Sequence, residues 1–211
     1  MEKILLATRN KGKIKELSDM FARFNLVVAG LAEFPDLEDV EEDGATFIEN
    51  ALKKARYASK ATGLYAIADD SGLAVDALNG APGVYSARFS DRIENGKLIA
   101  GTDESNISKL LHDLGGIPPT RRGARFCCAM AAVSPDGRKI FAEGQWEGRI
   151  ANKAAGNNGF GYDPVFIDPE TGLHAAELSF EQKNAKSHRG KALAALLEQW
   201  PGFWNSSQFK L

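Results

Sequence analysis

Ten residues near the amino terminus, Ile4 to Lys13 (ILLATRNKGK), narrow the possible folds more than any other stretch. A short apolar run, Ile4 to Ala7, gives way at once to a polar loop carrying Thr8, Asn10 and lysines on either side of Gly12. Beyond it Ile14, Leu17, Phe21 and Phe24 recur at helical spacing, so the segment reads as strand, loop and helix. Hydroxyl, amide and ammonium groups then gather at a helix N-terminus, whose unpaired N–H groups and partial positive charge suit a phosphate chain. A lysine-rich surface loop with a simple cap uses the same residues, and this segment alone does not separate the two.

Strands and helices continue to alternate downstream. Leu26 to Leu31 is expected as a second strand, followed by an acidic loop from Glu33 to Asp43. Thr46, with Glu49 three residues on, has the spacing of a capping box and opens a helix to about Lys60 that stops near Gly63. Its apolar face holds Phe47, Ile48, Ala51, Leu52, Ala55 and Ala58, with Lys53, Lys54, Arg56 and Lys60 toward its other faces. Leu64 to Ala68 is a short strand ending at Asp69 and Asp70, and a glycine-punctuated segment of ordered loop and short strands follows. Thr102 starts another helix, with Ile107, Leu110, Leu111 and Leu114 on one stripe and Gly115-Gly116 as its stop.

Arg125 to Val133 and Lys139 to Ile150 flank the turn sequence SPDG and read as an antiparallel hairpin. A glycine-rich loop leads to a short strand at Val165 to Ile167, and a last helix runs from about Glu181 to about Gln199. The tail from Pro201 to Leu211 carries no signal. The pattern predicts an α/β fold on a mixed sheet, in a single domain of 211 residues with no internal repeat or separable linker.

A formal charge of −2 argues against bulk nucleic acid as a partner, since that surface calls for a strongly basic face. A single nucleotide needs only a few local cations. The two cysteines, Cys127 and Cys128, are sequence neighbours in an apolar run, so buried thiols are expected rather than a disulfide or a metal site. The apolar residues after Lys3 are too few for a signal peptide. No run approaches the ~20 apolar residues of a spanning helix, and a cytoplasmic protein without membrane partners is expected.

Several clusters carry potential chemistry. In an extended segment the adjacent Asp69 and Asp70 point to opposite faces, so they need not share one job: one can bind a metal or orient water while its neighbour bonds locally. A solvated turn reads the same way. Glu41, Glu42 and Asp43 add carboxylates before the capped helix, as solvent-facing charge or, if paired with Asp70, as ligands for a hard cation. FGYD, Phe160 to Asp163, offers rings that stack on a base and an acid that bonds a sugar, or else an aromatic plug with a turn acid. KNAKSHRGKA, from Lys183, groups Lys183, Ser187, His188 and Arg189 as donors before a helix. No Gly-Lys pair completes a Walker A motif, so a P-loop enzyme is not expected. His112 and His174 have no HExxH or triad company and read as structural.

Together these segments resemble the inosine/xanthosine triphosphate pyrophosphatase family, which removes noncanonical purine nucleotides. The resemblance runs from about Lys3 to Trp200 and rests on TRNKGK at Thr8, TFIENALKKA at Thr46, IADDSGLAVDALNGAPGVYSARFS at Ile67, FGYDP at Phe160 and AELSFEQKNAKSHRGKAL at Ala175. It implies that Thr8, Asn10 and Lys13 hold the triphosphate, with Arg9, Lys11 and Gly12 completing that loop and Lys54 reaching the phosphates. It makes Asp70 the catalytic carboxylate and a Mg2+ ligand, and Ser71 a substrate contact. In this alignment Glu42, rather than its neighbour Glu41, is the second metal ligand. Phe160, Gly161, Tyr162, Asp163, Lys183, His188 and Arg189 form the nucleoside pocket. The architecture implied is an elongated mixed sheet flanked by helices, with two lobes around a central substrate cleft, in a homodimer. The reaction implied is hydrolysis of ITP, dITP or XTP to the monophosphate and pyrophosphate. A pyrophosphatase for other modified nucleotides, or a nonhydrolytic regulator, shares part of this pattern. The acids favour catalysis, because a binder gains little from carboxylates beside phosphates without a metal.

Overall fold

The computed structural model of the protein describes residues 3–10, 13–15, 17, 18 and 27–204. The expectations for Lys11, Gly12, Phe21, Phe24, Leu26 and the tail after Trp204 lie outside those residues. The strands are β1 (Lys3–Leu6), β2 (Val27–Gly30), β3 (Tyr65–Val75), β4 (Arg92–Glu94), β5 (Lys97–Ile99), β6 (Gly123–Val133), β7 (Lys139–Ile150) and β8 (Phe166–Ile167). The labelled helices are α1 (Phe47–Thr62), α2 (Asp103–Asp113), α3 (Phe180–Lys186) and α4 (His188–Phe203), and residues 13–15, 17 and 18 are also helical. Six strands form one mixed sheet in the order β2-β1-β3-β6-β7-β8, while β4 and β5 pair separately. β1 runs parallel to β2 and β3, and β8 antiparallel to β7. The α/β mixed sheet is thus as expected.

The chain divides into two compact units: residues 1–70, 128–144 and 188–211, and residues 71–127 and 145–187. In the first, strand alternation assigns the layers. Ile4, Leu6, Ile67, Cys128, Met130 and Ala132 point to one face, where they pack with Leu17 and with Ala192, Leu193, Leu196 and Trp200 of α4. Leu5, Ala66, Ala68, Ala129, Ala131 and Val133 point to the other, against Ala51, Ala55 and Ala58 of α1. Small residues on both sides of that second contact let α1 lie close to the sheet. α1 begins and ends as its sequence requires: Thr46 and Glu49 form the capping box, and Gly63 closes the helix at φ 69°. Gly144 on β7 admits α4, since a methyl there would lie 2.2 Å from the His188 carbonyl and 2.5 Å from the Ala192 nitrogen.

The second unit is built on Leu73, Val75, Leu110, Leu114, Phe126, Trp146, Tyr162 and Phe166. Arg122 is buried there and donates to the carbonyls of Leu114, Ile117 and Ala151, closing the end of α2. Asp168, also buried, accepts from Trp146 Nε1 at 3.1 Å, Thr171 Oγ1 at 2.7 Å and Lys186 Nζ at 2.8 Å.

Three expectations are corrected. The strand expected to stop at Ala68 continues through Asp69, Asp70, Ser71 and Gly72 to Val75, past the end of its pairing with β1, which stops at Ile67; both acids are tolerated there because each meets cations or amide donors from other segments. The single helix expected from about Glu181 is two, α3 and α4, broken where Ser187 adopts an extended conformation (φ −66°, ψ 154°). Lys54 lies on the inner side of α1, where carboxylates compensate its burial, and not on an outer face. Cys128 is buried, Cys127 half-buried, and both are free thiols. No helix among the described residues is long and apolar enough to cross a membrane.

Burial pushes the Asp168 carboxyl up, but hydrogen bonds from Lys186, Thr171 and Trp146 outweigh it and hold the group below its ordinary value of 3.8. A carboxyl lowered in the folded state contributes stability above its unfolded value and loses it as pH falls through the folded one. Asp168→Asn should therefore lower the unfolding free energy by about 1–3 kcal/mol near neutrality. It should also flatten the fall in stability below about pH 4. Urea titrations of both proteins across that range check it; parallel curves would contradict it.

Candidate active site

The alternation that builds the first unit also separates its two adjacent acids. Asp69 follows Ile67 in parity and faces the α4 side; Asp70 follows Ala66 and Ala68 and faces α1. Both are buried, at 1% and 5% exposure. Asp69 Oδ2 receives Lys13 Nζ at 3.0 Å and Arg189 Nε at 3.3 Å. Asp70 Oδ2 accepts from Asn50 Nδ2 at 3.0 Å, and Lys54 Nζ lies 3.7 Å from Asp70 Oδ1. The Lys54 ammonium also donates to Glu42 Oε1 at 2.5 Å and to the Asp69 carbonyl at 2.7 Å. Lys13, Lys54 and Arg189 thus meet Glu42, Asp69 and Asp70, three cations against three carboxylates.

Burial pushes the Asp70 carboxyl above its ordinary value; Lys54 opposes this, Glu42 adds to it, and Asn50 and Lys13 oppose it more weakly. Burial alone would lower the Lys54 ammonium, yet Asp69, Asp70 and Glu42 outweigh it and hold that group above its ordinary value. Asp70 is therefore a stronger base than an ordinary aspartate, beside an ammonium that stays charged.

The loop after β1 is ordered by its own polar groups. Thr8 Oγ1 accepts the Asn10 N–H at 3.2 Å, and Asn10 Oδ1 accepts the Lys13 N–H at 3.1 Å, so Asn10 caps the helix that carries Lys13. Arg9 is exposed and turns to Asp39 and the Leu37 carbonyl. Of the two glutamates at the acidic loop's end, Glu41 is exposed, whereas Glu42 is half-buried and reaches Lys54.

A second cluster lies in the other unit. Asp163, buried, accepts the Phe160 N–H at 2.9 Å and pairs with Lys183 at 2.7 Å, while Lys183 Nζ lies 5.1 Å from the Phe160 ring centroid. Gly159, at φ 77°, admits this carboxylate; a methyl there would lie 2.0 Å from Asp163 Oδ2. Gly161 donates to Asp103 at 2.7 Å. Tyr162 is a core residue whose hydroxyl donates to the Ser86 carbonyl at 2.9 Å; burial pushes that phenol up, with a further rise from Asp103. Phe160 is half-buried, as is Ser71.

A hard divalent cation takes oxygen ligands and is satisfied by one or two carboxylates when phosphate oxygens fill the rest of its shell. Glu42 and Asp70 supply such a pair, and the Lys54 ammonium between them shows that the position favours positive charge. Among the described residues no group of three or more His, Cys, Asp or Glu side chains has metal-holding geometry, so a cation here would complete its shell with waters or with substrate oxygens.

The sequence profile of the Ham1 family matches residues 4–199. The chain belongs to the Ham1 family. It is 59% identical over 202 residues to the dITP/XTP pyrophosphatase of Nitratidesulfovibrio vulgaris, covering 95% of this chain and 97% of that one. Among solved structures, the HAM1 protein from Coxiella burnetii superposes with a TM-score of 0.83 at 41% identity, covering 96% of this chain and all of that one (100%). The nucleoside-triphosphatase / dITP/XTP pyrophosphatase of Mycobacterium abscessus gives 0.73 at 51% identity, with 92% and 98% covered.

In this Ham1 chain, the sequence gives Asp69 only a local bonding role and gives Asn50 none. Asp69 stood beside the carboxylate of interest, and only its partners reveal that it gathers Lys13 and Arg189. Asn50 is an amide bordering the alanine face of α1, and that placement was its only signal. Removing the Asp69 carboxylate deprives two largely buried cations of the anion they share. Asp69→Ala should lower the unfolding free energy by about 3–5 kcal/mol, read by urea denaturation; a change within about 0.5 kcal/mol would contradict that role.

Proposed function

We propose that this chain hydrolyses noncanonical purine nucleoside triphosphates (dITP, ITP and XTP) at the α–β phosphoanhydride, releasing the monophosphate and pyrophosphate. The observation that carries this reading is the convergence of Lys13, Lys54 and Arg189 on Asp69 and Asp70. A pure binding protein has no use for buried carboxylates among cations that hold phosphates, whereas a hydrolase needs a base beside them. The names of the relatives, dITP/XTP pyrophosphatases, agree in substrate class.

Lys13 binds the polyphosphate from a position already set by Asp69, so little reorganisation accompanies the charge that develops on the leaving pyrophosphate. Thr8 and Asn10 shape the loop that brings Lys13 there, with Arg9, Lys11 and Gly12 as its remaining members. Asp70 accepts the proton of the attacking water at a carboxylate oxygen. Asn50 and Lys54 keep that carboxylate oriented. Glu42 and Asp70 would hold Mg2+, which when bound supplies charge neutralisation for the phosphate oxygens.

Base selection falls to the 6-position, where hypoxanthine and xanthine carry an oxo acceptor and adenine an amino donor. We assign that recognition to His188 and Arg189, stacking to Phe160, and support of the nucleoside to Ser71, Gly161, Asp163 and Lys183. Tyr162 anchors this loop through its core contact. A mismatched buried polar group costs about 1–3 kcal/mol, or roughly ten- to a hundredfold per contact. The family resemblance further implies a homodimer in the cytoplasm, acting on a small-molecule nucleotide without nucleic acid or membrane partners, and we include both in the proposal.

Asp70→Asn should bind nucleotide with affinity near that of the parent protein while losing about 10²–10⁴-fold in turnover. Chelation should abolish pyrophosphate release from dITP by the parent. Undiminished release by Asp70→Asn would refute the assigned base.

A further inference from the structure

Asn50 lies one helical turn before Lys54 on α1 and is fully buried. Its amide is used at both ends: Oδ1 accepts the Gly44 N–H at 2.8 Å, and Nδ2 donates to Asp70 Oδ2 at 3.0 Å. A backbone N–H can only donate, so Gly44 fixes the oxygen end of the amide and leaves the NH2 end for Asp70. Gly44 stands two residues beyond Glu42. One side chain therefore holds both the backbone that carries the first acid and the carboxylate of the second.

The glycine is a second, independent sign of the same arrangement. Gly44 is not among the glycines with positive φ, so its backbone angle does not call for glycine. Space does: a methyl there would lie 2.6 Å from Asn50 Oδ1 and 3.0 Å from Glu49 Cβ. Lys54 also touches both acids, but an ammonium on a flexible stem sets charge without setting distance. A planar amide pinned at both ends does set it.

We propose that Asn50 is a positioning residue that spaces Glu42 and Asp70 as a divalent-cation pair, acting through Gly44 on one side and the Asp70 carboxylate on the other. This rests on the reading of those two acids as metal ligands. Groups that orient ligands in this way change metal affinity or activity by about 10–100-fold when removed.

The test uses the full chain, dITP turnover across a Mg2+ titration, and Mn2+ binding to the nucleotide-free protein by electron paramagnetic resonance. Asn50→Ala should raise both the Mg2+ concentration for half-maximal turnover and the Mn2+ dissociation constant by about 10–100-fold, with kcat at saturating Mg2+ reduced less. Gly44→Ala keeps the amide but displaces its oxygen, and should shift both values in the same direction. The double variant should be far less than additive, because both changes break one linkage. If the parent needs Mg2+ but both single variants keep its half-saturation and Mn2+ affinity within about twofold, this inference is overturned while the metal reading stands. If the parent neither binds Mn2+ nor responds to Mg2+, the metal reading falls and takes this inference with it.

Discussion

Two adjacent carboxylates inside a buried strand are tolerable only if each finds its own compensation. An unpaired buried charge costs several kcal/mol, and side by side the two would repel each other. β3 solves this by parity: Asp69 faces the α4 side and meets Lys13 and Arg189, while Asp70 faces α1 and meets Asn50 and Lys54. Much of the first unit follows from that division. Gly144 admits the start of α4, the break at Ser187 sets where His188 and Arg189 begin, and the Asn10 cap orients the turn that carries Lys13. Two of the cations needed to bury the acids, Lys13 and Lys54, are the groups that the proposed reading gives to the polyphosphate. In that reading, stability and function draw on one set of contacts.

The second unit follows a different logic. Its loop from Gly159 to Asp163 is held from within by the Asp163 carboxylate, which bonds Phe160 and Lys183, and anchored below by the Tyr162 hydroxyl. An aromatic ring on such a loop is presented by fixed backbone rather than by a mobile tip, as stacking on a base requires. Asp163 and Lys183, read in sequence as direct nucleoside contacts, first of all hold each other.

What could be read from sequence was local. The capping box at Thr46, the helix start at Thr102, the glycine stop at Gly63 and the turn at SPDG depend on residues a few positions apart, and each stands where the sequence puts it. What could not be read depends on partners distant in sequence. Aspartate is disfavoured in strands, so the sequence pattern ends β3 before Asp69, although partners from three other segments make its passage possible. Between Ala185 and Ala192 no apolar residue marks a helix face, so nothing local shows where α3 ends and α4 begins. Charge usually lies on an outer face, which is where the pattern of α1 puts Lys54; the carboxylates that draw it inward come from Glu42 and from β3. Asn50 was invisible because both ends of its amide are satisfied by groups outside its helix.

Hydrolysis of dITP in oxygen-18 water, with the products resolved by phosphorus NMR, tests most directly whether water attacks the α-phosphorus, as the proposed hydrolysis requires. Isotope in deoxyinosine monophosphate, with none in pyrophosphate, is the expected result. Isotope in pyrophosphate, or labelled orthophosphate accompanied by the nucleoside diphosphate, would contradict it.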